Sequence, residues 1–160
     1  KEAQMQQLKN AISNALHNFE GNGLTVVHKN GKIYVSMENK LLFDSGSWAV
    51  GSEGKKAVEQ LAGVLSENKD INVLIEGHTD DVPYNGTTLI DNWDLSVKRA
   101  TAIVRILKDK GVSPTQITAA GRSEFMPVDT NTTTEGKAKN RRIEIILAPN
   151  LDEISKLLKE

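Results

Sequence analysis

A short apolar run, Ile71, Val73, Leu74 and Ile75, bounded by Asp70 and Gly77, constrains this chain more than any other feature. Its β-branched and aliphatic residues read as a mostly buried strand. The strand exits through the polar turn Gly77-His78-Thr79-Asp80, and in open α/β sheets ligands collect at such ends. The following stretch, Asp81 to Asp91, holds Pro83, Asn85-Gly86 and two threonines, which predicts an irregular, solvated and mobile loop. Asp91 or Asn92 then serves as an N-cap, and Asp94 in the first turn suits the helix dipole.

Winding the next residues at about 100° each places Lys98, Thr101, Arg105, Lys108 and Asp109 on a polar arc. Arg99 falls elsewhere, between Leu95, Ile103 and Ile106, on the arc that faces the body of the protein. A half-buried, unpaired guanidinium costs several kcal/mol, so Arg99 requires a partner or an escape. It either snorkels at the edge or pairs with a local acid, or it flanks one pocket with Asp80 and binds a ligand bearing both charges.

Three ordered blocks carry a resemblance: Gly77-His78-Thr79-Asp80, then Asn92-Trp93-Asp94-Leu95-Ser96-Val97-Lys98-Arg99-Ala100, then Gly136-Lys137-Ala138-Lys139-Asn140-Arg141-Arg142-Ile143-Glu144-Ile145. Together they resemble the OmpA-like peptidoglycan-binding domain, a family that includes the C-terminal domain of outer-membrane protein A, peptidoglycan-associated lipoprotein and the flagellar stator protein MotB. The likeness runs from about Ile33 to Leu147. Leu42-Phe43-Asp44-Ser45-Gly46 is similar to the family's loop after its first strand, and Asp81-Val82-Pro83 with Asn92-Trp93 is similar to the MotB-like branch.

The resemblance implies an α+β fold (an α/β sandwich), with an OmpA-C-like βαβαβ mixed sheet and helices packed on one face, extended by an N-terminal helix and a hairpin. It also implies a ligand, the meso-diaminopimelate of the peptidoglycan stem peptide, whose free end keeps both an ammonium and a carboxylate. Asp80 would take the ammonium and Arg99 the carboxylate, through a two-pronged bond that only guanidinium makes. Phe43, Asp44 and Leu95 would border the peptide, with backbone N–H groups near Phe43 and Asp44 adding contacts, and Thr79 would orient the turn. The implied setting is the periplasm, with a membrane-anchored parent protein and no cofactor.

The rest of the chain fills in around this unit. Met5, Leu8, Ile12, Ala15, Leu16 and Phe19 recur at helical spacing, predicting a helix from Glu2 to Phe19 that stops at Gly21-Asn22-Gly23. It either packs on the domain or acts as a linker or dimerising helix. Asn30-Gly31, between Leu24 to His28 and Ile33 to Glu38, is a strong hairpin signal. Leu41 to Val50 reads as an irregular apolar loop. Ser52 can cap a helix running to about Glu67. Gly111 ends the helix carrying Arg99, Ile117 to Gly121 forms a short strand, and Glu135 to Asn140 is a helical turn. It feeds a last strand, Arg142 to Leu147, whose apolar side is Ile143, Ile145, Ile146 and Leu147. Of Asn140-Arg141-Arg142, one arginine is expected to pair with acids near the pocket, and His78 to hold the strand end through a ring hydrogen bond. A final amphipathic segment contains Leu151, Ile154, Leu157 and Leu158. The organisation is therefore an N-terminal helix or linker over 1–22, a domain over 23–149 and a C-terminal helix over 150–160.

Composition narrows the classes of function. The 160 residues, 38% hydrophobic, suffice for one adequate core. Twenty Lys and Arg against 21 Asp and Glu give a net charge of -1, which offers no electrostatic case for nucleic acid. The absence of cysteine excludes disulfides and thiolate metal sites. The chain opens on Lys1 and has no apolar run long enough for a signal or a membrane span, so it reads as a fragment or a mature form. A metal-dependent hydrolase built on His78, Asp80 and Asp81 would be a weak site. No serine or cysteine nucleophile beside a base is legible, so the pattern suits holding rather than bond-breaking. A dimerisation module of a motility or secretion complex is the other class, with a second copy of the chain as partner.

Overall fold

The computed structural model describes residues 2–150 and Leu158. Apart from Leu158, the expected C-terminal segment with Leu151, Ile154 and Leu157 lies outside the described residues. In chain order the elements are α1 (Glu2–Ala15), β1 (Leu24–Lys29), β2 (Lys32–Glu38), α2 (Asn39–Leu42), α3 (Ser52–Leu65), β3 (Ile71–His78), α4 (Asn92–Asp109), a 3-10 turn (Pro114–Gln116), β4 (Ile117–Gly121), α5 (Thr134–Asn140) and β5 (Arg142–Pro149). The strands form one mixed sheet in the order β1-β2-β5-β3-β4. Only β3 and β4 run parallel, joined by the crossover through α4; the other pairs are antiparallel. This is the α+β architecture expected.

Alternation decides which face is covered. Ile33, Val35 and Met37 of β2, Val73 and Ile75 of β3, and Ile143, Ile145 and Leu147 of β5 are buried, as a period of two requires. They meet Leu8 and Ile12 of α1, Leu61 and Leu65 of α3, and Ile103 and Leu107 of α4 in one continuous core. Ile146 was expected on the same side, but it points to the opposite face between Ile145 and Leu147 and is only half-buried. The apolar run at the end of β5 thus mixes both faces, because in a strand adjacent residues cannot share one.

Helix boundaries differ from expectation at α1 and α3, α5 starts one residue early, and α2 reaches Leu42 where an irregular loop from Leu41 was expected. α1 ends at Ala15, and Leu16 to Phe19 form tight turns in which Phe19 N–H donates to the Leu16 carbonyl at 2.9 Å. The helical spacing persists there because Leu16 is fully buried; the chain tightens to reach Gly21 and Gly23, both at positive φ, before β1. At α3 the N-cap is Gly51 and Ser52 is the first helical residue, with no side-chain cap bond. At α4 the expectation holds: the Asp91 carboxylate accepts from Asp94 N–H at 3.1 Å, and the Asp94 carboxylate accepts from Ile90 N–H at 2.9 Å. This reciprocal pair fixes where α4 begins. The loop before it is irregular, as expected, and is tied to the helix start where the Asn92 side chain donates to the Val82 carbonyl at 2.9 Å.

α4 crosses the ends of β3 and β4 at two glycines. A Cβ on Gly77 would lie 2.0 Å from the Ser96 carbonyl oxygen, and one on Gly121 would lie 2.4 Å from Ser96 Oγ. Ser96 Oγ accepts the Ser123 N–H at 3.1 Å and donates to the Trp93 carbonyl at 2.9 Å. The helix backbone therefore rests directly on the strand ends.

The uncovered face carries charge. His78 is buried there, with Nε2 donating to Glu76 at 3.2 Å. That bond fixes the Nε2–H tautomer and leaves Nδ1 buried without a partner. Burial first, and then the positive charge of Arg142, lower the His78 pKa from 6.5 to about 4 against the opposing pull of Glu76. The expected structural role of His78 in holding the strand end agrees with this geometry.

Two outcomes follow for stability. Gly77→Ala forces α4 off β3, and urea denaturation should register a loss of about 2–3 kcal/mol, the range for overpacking. Because the unfolded chain binds a proton to His78 that the fold refuses between pH 6.5 and about 4, stability contributed by the neutral ring is present above pH 6.5 and lost as pH falls through that window. Denaturation of wild type and His78→Gln at several pH values should show the wild type losing on the order of 3 kcal/mol relative to the variant by pH 4.

Candidate functional site

The turn after β3 is held from several sides. Thr79 N–H donates to the Ser123 carbonyl at 2.9 Å, and Thr79 Oγ1 donates to the Asp80 carbonyl at 2.8 Å. Thr79 thus orients the turn. Asp80 is only 7% exposed. One carboxylate oxygen accepts Val82 N–H at 3.0 Å and the other accepts Arg141 Nη1 at 2.7 Å. Arg141 sits just past α5, and its side chain remains partly solvated. The expectation that one arginine of Asn140-Arg141-Arg142 pairs with an acid near the pocket is met by Arg141.

Arg99 is 4% exposed, on the inner face of α4. Its Nε donates to the Ser47 carbonyl at 2.9 Å, and its guanidinium carbon lies 5.4 Å from the centre of the Phe43 ring. Its two Nη nitrogens donate to no group among the described residues. Arg142, equally buried at 5%, offers the contrast: Nε binds Glu144 at 2.7 Å, Nη1 the Asn140 carbonyl at 3.2 Å and Nη2 the Met126 carbonyl at 3.0 Å. Every nitrogen of Arg142 is engaged; both Nη groups of Arg99 are open among the described residues.

Burial is the main cause that pushes the Arg99 pKa down to about 10; Arg141 adds repulsion and Asp80 opposes both. Arg99 therefore keeps its charge at neutral pH but holds it at a cost. The same three charges feel one another, so Asp80, Arg99 and Arg141 belong to one electrostatic cluster. Yet no ion pair within 4.0 Å joins Asp80 to Arg99 among the described residues. An acid and a base are held near each other and apart.

The remaining expected residues fall around this cluster in different ways. Phe43 is buried beneath the guanidinium, and Leu95 is buried on α4 outside the main core. Asp44 is exposed on the loop after α2. Of the backbone N–H groups near Phe43 and Asp44 expected to add contacts, that of Phe43 donates to the Asn39 carbonyl at 2.6 Å, because the single turn of α2 closes on it. Two participants were not legible beforehand. Ser47 contributes a backbone carbonyl, which no side-chain pattern reveals. Asn140 is fully buried: its side chain accepts from Val128 N–H at 2.8 Å and Asp129 N–H at 3.0 Å and donates to the Asp129 carbonyl at 2.9 Å, fixing the loop ahead of Arg141.

Asp80 and Arg99 line neither of two concavities of about 680 Å³ each, one beside α1 and the ends of β3 and β5, the other over the uncovered sheet face. The charged cluster lies apart from both. Among the described residues, no three His, Asp or Glu side chains, His78, Asp80 and Asp81 included, are grouped to hold a metal ion.

Comparison with known proteins places this cluster in context. Motility protein B of Bacillus subtilis (strain 168) is 31% identical over 118 residues, covering 73% of this chain and 45% of that protein. The chain spans about half the length of the curated relatives it matches. Among solved structures, a MotB-like protein from Desulfovibrio vulgaris superposes with a TM-score of 0.85 at 25% identity, covering 92% of this chain and 96% of that one. The cell wall anchor of the T6SS from Pseudomonas aeruginosa superposes with a TM-score of 0.79 at 29% identity, covering 86% of this chain and 96% of that one. The profile of the OmpA family matches residues 42–141, a span that begins beside Phe43 and ends on Arg141 and takes in Asp80 and Arg99. This chain belongs to the OmpA family.

Proposed function

We propose that this domain binds peptidoglycan without catalysing any reaction, by clasping the diaminopimelate of the stem peptide, and that it thereby anchors an envelope protein to the cell wall in the periplasm. One observation carries the reading: a buried, charged guanidinium whose two Nη groups are unengaged among the described residues. A carboxylate arriving at that fork makes the bidentate pair that guanidinium geometry favours and offsets the burial and Arg141 repulsion that now depress the Arg99 pKa. Asp80, fixed by Arg141 and Val82, then meets the ammonium at the other end of the same amino acid. Phe43 and Leu95 exclude water from the clasp, Thr79 fixes the angle of Asp80, and exposed Asp44 borders the outgoing peptide.

The names of relatives agree with this assignment. One solved relative is a cell wall anchor, and another is a peptidoglycan-associated lipoprotein from Burkholderia pseudomallei, 30% identical with a TM-score of 0.58. Such a clasp suits a tether, since many weak contacts along a polymer hold firmly through avidity. The membrane anchor of the parent protein and any pairing with a second copy belong to the same proposal.

Sedimentation with purified sacculi tests it. Asp80→Ala and Arg99→Ala should each weaken binding roughly thirtyfold or more, as expected when one partner of a desolvated charge pair is truncated. The fold should survive, because Arg141 is partly solvated and losing Arg99 removes a buried charge. Arg99→Lys keeps the charge but loses the fork and should weaken binding about tenfold. Titration with a diaminopimelate-containing stem peptide should show tighter binding than with its lysine analogue, which lacks the second carboxylate. Full binding by both alanine variants rules the assignment out.

A further inference from the structure

Trp93 and Phe125 lie against each other on the surface, ring centroids 5.5 Å apart and planes tilted by 32°. They remain 48% and 62% exposed, and Ile90 and Val97, three residues before and four after Trp93 in the chain, are also exposed. Exposed apolar residues scattered singly need no explanation, but a group that includes two rings marks a contact surface. Neither ring contributes to the core.

The patch is tied to the Asp80 turn from two directions. Ser123, two residues before Phe125, accepts the Thr79 N–H at 2.9 Å. Asn92, next to Trp93, donates to the Val82 carbonyl at 2.9 Å, while Val82 N–H binds the Asp80 carboxylate at 3.0 Å. The aromatic pair is therefore tied to the Asp80 end of the clasp. The inference rests on the clasp holding a stem peptide. Such a peptide is joined at its other end to an amino-sugar chain, and each residue spans at most about 3.5 Å, so a sugar stays within a few residues' reach of Asp80.

The chemistry of the patch selects its occupant. A pyranose ring presents C–H bonds on its faces and polar groups around its edge, so a flat aromatic surface covers the face while the edge keeps its water. We propose that Trp93 and Phe125 form a stacking platform for the neutral N-acetylated sugar rings of the same polymer whose peptide the Asp80–Arg99 clasp holds.

Calorimetric titration of the 160-residue chain with two defined probes separates the parts: a diaminopimelate-containing stem peptide alone, and the same peptide carried on its disaccharide. Wild type should bind the disaccharide form about tenfold more tightly, the scale of one well-buried apolar contact. Trp93→Ala and Phe125→Ala should remove that advantage and leave the affinity for free peptide unchanged, whereas Trp93→Phe should retain most of it. Asp80→Ala should weaken both probes alike. If wild type binds both probes equally, or if the advantage survives in both alanine variants, the platform is overturned while the clasp stands. If wild type binds neither probe, the clasp fails and the platform falls with it.

Discussion

The contact on which this structure depends is the seating of α4 on the ends of β3 and β4 through Gly77 and Gly121. No side chain separates the backbones, since a Cβ at Gly77 would lie 2.0 Å from the Ser96 carbonyl. That closeness sets the geometry downstream. Asp80 lies three residues beyond Gly77 and Arg99 three beyond Ser96, so one backbone contact fixes the acid and the base relative to each other. The reciprocal bonds between Asp91, Asp94 and Ile90 then fix the helix start, and with it the rotation that aims Arg99 inward.

A guanidinium buried to 4% exposure must be accommodated. Here the accommodation is partial: a ring beneath it, a carbonyl on Nε, and an acid that is close but not bonded. Arg142, buried to the same degree, makes a bond from every nitrogen and acts as an internal strut joining β5 to the loop at Met126. Two arginines in one domain therefore do different physical jobs. A satisfied arginine stabilises the fold, whereas an open fork gains most when an external anion completes it. Arg141 stands between these cases, holding Asp80 in place while repelling Arg99. In the proposed clasp, that combination keeps the two ends apart and makes the open fork more receptive to a carboxylate.

Much of the fold was legible because it is local. The strand at 71–75, the Asn30-Gly31 hairpin and the amphipathic helix from Asn92 each announce themselves through periodicity or turn chemistry within a dozen residues. Errors arose where a pattern served two masters. Leu16 keeps helical spacing but lies in a turn, since burial and helix are different requirements. Ile146 is apolar but faces outward, where it lines the uncovered sheet face. At the site, the odd placement of Arg99 on an apolar arc was readable, whereas the partnership of Asp80 with Arg141, sixty-one residues away, followed only as a general expectation.

By itself the sequence determined the strands and the long helices in their order, though not the short α2, together with the inward placement of Arg99 and the presence of an acid at the end of the preceding strand, because each depends on residues that are neighbours in the chain. Tertiary structure alone decided that Ser47 lends a carbonyl, that Phe43 lies under the guanidinium with its own N–H already engaged, and that every nitrogen of Arg142 is engaged while both Nη groups of Arg99 are open among the described residues. Those outcomes depend on which backbone groups arrive at a given point in space, and backbone groups are chemically identical at every position. No side-chain alphabet encodes where a carbonyl will be free to accept; only the packed chain assigns it.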